Sequence, residues 1–156
     1  MLDHWRKAFL INMIEELKES PDEESETLGK EAEEHAHQNG TEEALSFLFQ
    51  LSYLSDEVRE CLGKGFTETV ESISYEHAVS RFGPAADSHY TSSFASYGPI
   101  TYEGSFVPRC CIEFDGLVYP ITLQMSLEDL LDDDAFQRHL RFVKVQTDQN
   151  LRLEVS

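Results

Sequence analysis

The sequence predicts an α+β fold: a helical N-terminal half of four to five helices packed on a C-terminal antiparallel sheet of about four strands. Three observations predict it. Apolar residues recur at helical spacing from Trp5 to Phe82, the pattern shortens to alternation from Ser105 onward, and Asp115-Gly116 stands between two apolar runs. A chain of 156 residues is long enough for one domain with one core. It reads as a single domain over 1–156, with a helical part at 1–83, a connecting loop at 84–104 and a β-rich part at 105–156.

The first helix is expected over Leu2–Glu19, where Trp5, Phe9, Met13 and Leu17 step by four and Leu10 and Ile14 widen the stripe. Ser20-Pro21 stops it, because the residue before proline disfavours the helical region. Asp22–Glu26 reads as a charged linker. Thr27–Gln38 reads as a mostly polar second helix closed by Asn39-Gly40. Thr41 is the expected N-cap of a third helix reaching about Leu54, whose Leu45, Leu48 and Leu51 imply burial. Ser55 caps a fourth, which Gly63 and Gly65 are expected to break or bend before a further segment over Thr67–Arg81 ends at Gly83-Pro84.

Residues 84–104 are rich in Ser, Thr, Gly, Tyr and Ala, and read as an ordered loop with a short strand near Thr101. Phe106–Phe114 and Leu117–Met125 flank Asp115-Gly116, the dipeptide that favours a two-residue hairpin turn. Ser126 is expected to cap a short acidic helix to about Arg138, for which Asp132, Asp133 and Asp134 serve as cap and solubiliser. Alternation in Leu140–Thr147, a turn at Asp148-Gln149-Asn150 and a period of two in Leu151, Leu153 and Val155 predict a second hairpin.

Thirty acidic residues against twelve basic ones give a net charge of −18. Such a field repels nucleic-acid phosphates and anionic membranes, attracts basic partners and speeds their encounter. The charge is concentrated: residues 21–60 carry twelve acids against Lys30 and Arg59, a net −10. Solubility alone is the competing reading of this acidity. Cys61, Cys110 and Cys111 form an odd set with one adjacent pair, which suits reduced thiols better than a disulfide framework. The N-terminus lacks a signal-peptide pattern and no apolar run is long enough to span a bilayer, so the cytoplasm is the expected location.

Motifs that could carry chemistry are weak. In Glu33-Glu34-His35-Ala36-His37 only Glu33/His37 and Glu34/His37 share a helix face. A di-iron bundle needs two such motifs, and the zinc pattern His-Glu-x-x-His is missing. Glu76-His77 and Asp87-Ser88-His89 supply acid, base and nucleophile types without any sign of geometry. The acidic run near Asp132 lacks the glycine of a calcium loop. The sequence therefore points to no catalytic residue, no metal and no cofactor.

What remains is binding. The expected function is an acidic cytoplasmic inhibitor of the immunity-protein, antitoxin or anti-defence type, which occludes a basic, nucleic-acid-handling protein such as a toxin or nuclease. No direct contact with nucleic acid or membrane is expected. The expected partner-binding residues are Glu31, Glu33, Glu34, Glu42, Glu43, Asp56 and Glu57 for charge, with Tyr53, Tyr90, Tyr97 and Tyr102 as aromatic anchors. A chaperone or adaptor using an apolar patch is the alternative, and an enzyme or metal-dependent protein a further one.

Overall fold

The computed structural model describes the backbone of residues 2–51, 55–83, 95–102, 105–114, 117–121 and 128–155, with side chains for 2–48, 50, 55–81, 83 and 128–149. Wherever side chains are described, the regular structure is helical. The elements are α1 (Leu2–Glu19), α2 (Glu23–Asn39), α3 (Thr41–Leu51), α4 (Asp56–Phe82), a 3-10 turn at Glu128–Leu131 and α5 (Asp133–Val155). Between α4 and the 3-10 turn, the backbone runs as a three-stranded antiparallel meander, β1 (Ala95–Tyr102), β2 (Ser105–Phe114) and β3 (Leu117–Ile121). Its register pairs Tyr102 with Ser105 and Phe114 with Leu117.

The α+β expectation is thereby overturned, and the protein is a helical one. Among the described residues the sheet has three strands, not four, and none of them comes from the C-terminal segment. The segment expected to form the second hairpin, from Leu140 to Val155, is the C-terminal two thirds of α5. The reason lies in which period the core reads. Phe136, Leu140, Val143 and Thr147 are all buried and recur at steps of three and four, so one helical face satisfies the core. The alternation of Arg141, Val143 and Val145 is local, and Val145 faces solvent. Asp148, expected in a turn, lies within the helix and receives His77 Nε2 at 2.9 Å and Arg81 Nε at 3.2 Å from α4. Tertiary pairing outweighs its turn preference. Loop residues expected over 84–104 also divide: 95–102 form β1, while 84–94 and 103–104 lie outside the described residues.

Two further boundaries move. Asp22–Glu26 is the start of α2, not a linker. Asp22 is the N-cap, accepting from Ser25 N at 3.1 Å, and Glu23, Glu24 and Glu26 occupy the first turn, where the helix dipole favours carboxylates. Gly63 and Gly65 do not break α4. Two glycines inside a helix cost about 1 kcal/mol each relative to alanine, but Gly65 sits where α1 and α4 cross. A Cβ there would stand 2.5 Å from Met13 Cα, closer than any side chain permits. The missing side chain is what lets the two backbones touch.

The core is built on α1, whose Phe9, Met13 and Leu17 are fully buried. Phe9 meets Phe66 of α4 with ring centroids 4.8 Å apart and Phe136 of α5 at 5.9 Å. Leu45 and Leu48 of α3 and Leu62 and Val70 of α4 complete the cluster. One cation is buried with them. Arg6, 5% exposed, donates to Leu130 O at 2.5 Å and pairs with Asp3 and Asp133, with its guanidinium 5.3 Å from the Phe136 ring centroid. A buried arginine is tolerated because its donors are satisfied.

Candidate functional site

The acidic surface starts from how shallowly α2 is held. Its buried edge is Ser25, Gly29 and Ala32, three small residues that bring the helix close to α1. A Cβ on Gly29 would lie 2.9 Å from Leu17 Cβ. An edge this narrow leaves much of the helix in solvent, and Glu23, Glu24, Glu31 and Glu34 are among its exposed positions. Glu31 and Glu34 are exposed, and Glu34 accepts from Gln38 Nε2 at 3.1 Å. Glu33 is half-buried and paired with Lys18 of α1 at 2.8 Å. That hydrogen bond, helped by the charge of Lys18, holds the Glu33 carboxyl below the ordinary range and raises Lys18 in turn.

The surface continues over the next two helix starts. Glu42 and Glu43 are exposed in the first turn of α3, joined to α2 through Gly40, whose φ of 93° suits a residue without Cβ. The α2–α3 corner is closed by His35 against Phe47, ring centroids 4.5 Å apart. Ser55 caps α4 by accepting from Val58 N at 3.3 Å, and Asp56 and Glu57 are exposed in its first turn. Asp56 pairs with Arg59, and Glu60 with Lys64 at 3.5 Å. Glu23, Glu24, Glu31, Glu34, Glu42, Glu43 and Glu57 have no cationic partner among the described residues. The carboxylates expected to bind a partner are thus exposed or half-buried, and most have no cationic partner among the described residues.

The aromatic anchors are less well placed by the structure. Tyr53 and Tyr90 lie outside the described residues. Tyr97 and Tyr102 are in β1, where the backbone is described and Tyr97 falls in the register irregularity between Ser96 and Pro99.

Other candidate groups resolve into structural roles. The Glu33–His37 motif is dispersed: Glu33 goes to Lys18, His35 stacks on Phe47 and His37 is exposed. Among the described residues, no three His, Cys, Asp or Glu side chains gather as a metal site would require. His77 clamps α4 to α5 through Asp148, next to a buried hydroxyl pair, Ser74 Oγ and Thr147 Oγ1, 2.7 Å apart. Asp87-Ser88-His89 lies outside the described residues. Cys61 is a free thiol that burial pushes up, with Ser20 opposing through a hydrogen bond. Cys110 and Cys111 stand in β2 at the register of Ile121 and Pro120. The run Asp132–Asp134 does more than solubilise. Asp132 Oδ1 accepts from Asp134 N at 3.0 Å and Ala135 N at 3.3 Å as the cap of α5, and Asp133 meets the buried Arg6.

Sequence reasoning missed one carboxyl cluster, because its members are far apart in the chain. Glu16 and Glu19 of α1 and Glu68 and Glu71 of α4 converge beside the helix crossing. Glu68 keeps an exposed edge, yet partial burial, a hydrogen bond with Glu16 and the charges of Glu16, Glu19 and Glu71 push its pKa up to about 8. Burial raises Glu71 as well. Near neutrality this cluster therefore holds a proton.

Among the described residues, no helix is long and apolar enough to cross a membrane. No protein family matches the chain, and neither a curated protein nor a solved structure shows significant similarity to it.

Proposed function

We propose that this is an acidic cytoplasmic protein that binds and occludes a basic protein partner, in the manner of an immunity protein, an antitoxin or an anti-defence inhibitor. One observation carries the reading. The stretch with −10 of the net charge includes α2 and the starts of α3 and α4, on which Glu31, Glu34, Glu42, Glu43 and Glu57 face solvent without a cationic partner among the described residues. Carboxylates displayed this way match lysine and arginine side chains that otherwise contact phosphate. They steer encounter more than they hold the complex. A nuclease or other nucleic-acid-handling enzyme is the partner class with such a basic surface.

The test is to recover partners from the source cell with the full chain as bait and to measure association across a salt series. Binding that weakens as salt rises is expected, because exposed charges are screened over about 8–10 Å at physiological ionic strength. Exchanging Glu31, Glu33 and Glu34 for Gln is expected to slow association several-fold and to change dissociation little. Salt-independent binding, or a partner with no basic surface, overturns the proposal and favours an adaptor that works through an apolar patch.

A further inference from the structure

The junction of α2 and α3 holds a chemically reactive pair. Asn39 is the last residue of α2 and Gly40 its C-cap, and both are exposed. Of the asparagines in the chain, Asn12, Asn39 and Asn150, Asn39 alone is followed by glycine. An asparagine side chain closes a five-membered ring when the backbone nitrogen of the next residue attacks it, and a side chain on that next residue obstructs the approach. Gly40 has none, and nothing lies within 4 Å of where a Cβ would stand. Its φ of 93° is open to glycine and strained for other residues. The Asn39 amide has no hydrogen-bond partner among the described residues, whereas Asn12 donates from Nδ2 to Thr69 Oγ1 at 2.8 Å. One contact holds the reaction back. Gly40 N–H donates to Ala36 O at 3.1 Å, which commits the attacking nitrogen to the last turn of the helix.

We propose that Asn39 is a site of spontaneous deamidation, gated by the hydrogen bond from Gly40 N to Ala36 O. Helix ends fray, and when the last turn of α2 opens, Gly40 N is released. It loses its proton to solvent base and attacks Asn39 Cγ. The new C–N bond closes a succinimide, and the side-chain nitrogen takes up a proton and leaves as ammonia. Water then opens the ring. Cleavage between the ring nitrogen and Cγ leaves aspartate at position 39. Cleavage between the ring nitrogen and the backbone carbonyl carbon leaves isoaspartate, with the chain running through Cγ. Either product adds a carboxylate to a chain of net charge −18, just ahead of exposed Glu42 and Glu43. That carboxylate stands at a helix C-terminus, where the dipole disfavours it. Isoaspartate also inserts a backbone carbon next to the cap bond.

The test is to incubate the full chain in mildly alkaline buffer, with and without unfolding concentrations of urea, and to map its peptides by mass spectrometry over time. Conversion of amide to acid is expected at Asn39 before it appears at Asn12 or Asn150. Asp115-Gly116 closes the same ring only by losing water and regains it on hydrolysis, so its products do not carry the mass change that marks Asn39. The native chain should convert at Asn39 more slowly than the chain in urea, because the cap bond must open first. It should still convert measurably, and at a rate unchanged by urea too dilute to unfold the protein, because only the helix end has to open. Asn39→Gln should abolish the modification at that position and keep the circular dichroism of the parent. Gly40→Ala, compared in urea where no cap exists, should slow conversion several-fold. Earlier conversion at Asn12 or Asn150 overturns the proposal, as does conversion at Asn39 only when the whole chain is unfolded. Equal rates with and without unfolding urea would remove the gate, and an unchanged rate in Gly40→Ala would remove the ring closure.

Discussion

Helices α2 and α5 flank the same core and use it in opposite ways. The buried edge of α2 is Ser25, Gly29 and Ala32, and its exposed face includes four glutamates, Glu23, Glu24, Glu31 and Glu34. The buried edge of α5 carries Phe136, Leu140 and Val143, and its exposed face carries arginine, phenylalanine and valine. Small residues let a helix lie close while contributing little transfer free energy, whereas large ones contribute about 1.5–3 kcal/mol each on full burial. Stability is thus concentrated in α5 and charge in α2. Substitutions that affect one should leave the other's property largely intact.

The sharpest way to break that contrast is in the core. Phe136→Ala is expected to cost about 3–5 kcal/mol in urea unfolding, because the side chain is fully buried against Phe9 and beneath Arg6. The matching change on α2, Ala32→Gly, should cost about 1–2 kcal/mol, most of it helix propensity. Equal effects would show that α2 is anchored as deeply as α5. Next in size is Asp133→Asn, which removes one carboxylate from Arg6 while leaving Asp3 and Leu130 O. A loss of about 1–3 kcal/mol is expected in the same assay, far more than an exposed charge exchange would give.

The acids themselves fall into two populations, and pH separates them. Glu68 has a folded pKa raised to about 8 from an ordinary value of 4.5, so the folded state holds a proton that the unfolded state releases. Its contribution therefore favours folding at low pH and is lost as pH rises from about 4.5 through 8. Glu68→Gln keeps a neutral side chain and should flatten the melting temperature between pH 5 and about 8.5, raising it at the alkaline end relative to the parent. Parallel curves for parent and variant would refute the shared proton. The smallest effect is expected on α2. Glu31→Gln with Glu34→Gln should change unfolding free energy by no more than about 0.5 kcal/mol, since neither carboxylate has a cationic partner among the described residues. A larger loss would mean that these glutamates hold structure and are not free for a partner.

How legible all this was in the sequence differs by region. The helix expected over Leu2–Glu19 is α1, because its stripe has one period and its stop is a proline. The acidity of residues 21–60 and its exposure could also be read, since a helix edged only by small residues has to show its glutamates to water. The C-terminal region misled because Val143 and Val145 alternate over a few residues while the longer Phe136–Leu140–Val143–Thr147 period runs beneath them. Asp148-Gln149-Asn150 reinforced the error as turn formers, and only the contacts from His77 and Arg81 explain why they are helical. The glycines of α4 misled for a related reason: their cost is local, while what offsets it, the approach of Met13 to Gly65, lies fifty residues away. Arg6 did leave a trace. It sits with Leu10, Met13 and Leu17 on the inward side of α1, where a cation must have partners. Their identity, Leu130 O and Asp133, could not be read from spacing.

That arginine also bears on how the protein is made. Arg6 is separated from the Leu130 carbonyl by 124 residues and from the Asp133 carboxylate by 127, and is synthesised before both. Until residues 130–133 leave the ribosome, α1 can form but cannot dock its inner face without leaving a guanidinium short of acceptors. Phe136, which completes the same corner, arrives later still. The corner of the core around Arg6 therefore closes only once residues 130–136 are available, and until then the helices that precede them keep apolar surface uncovered. Repulsion between chains of net charge −18 opposes their sticking to one another in that interval.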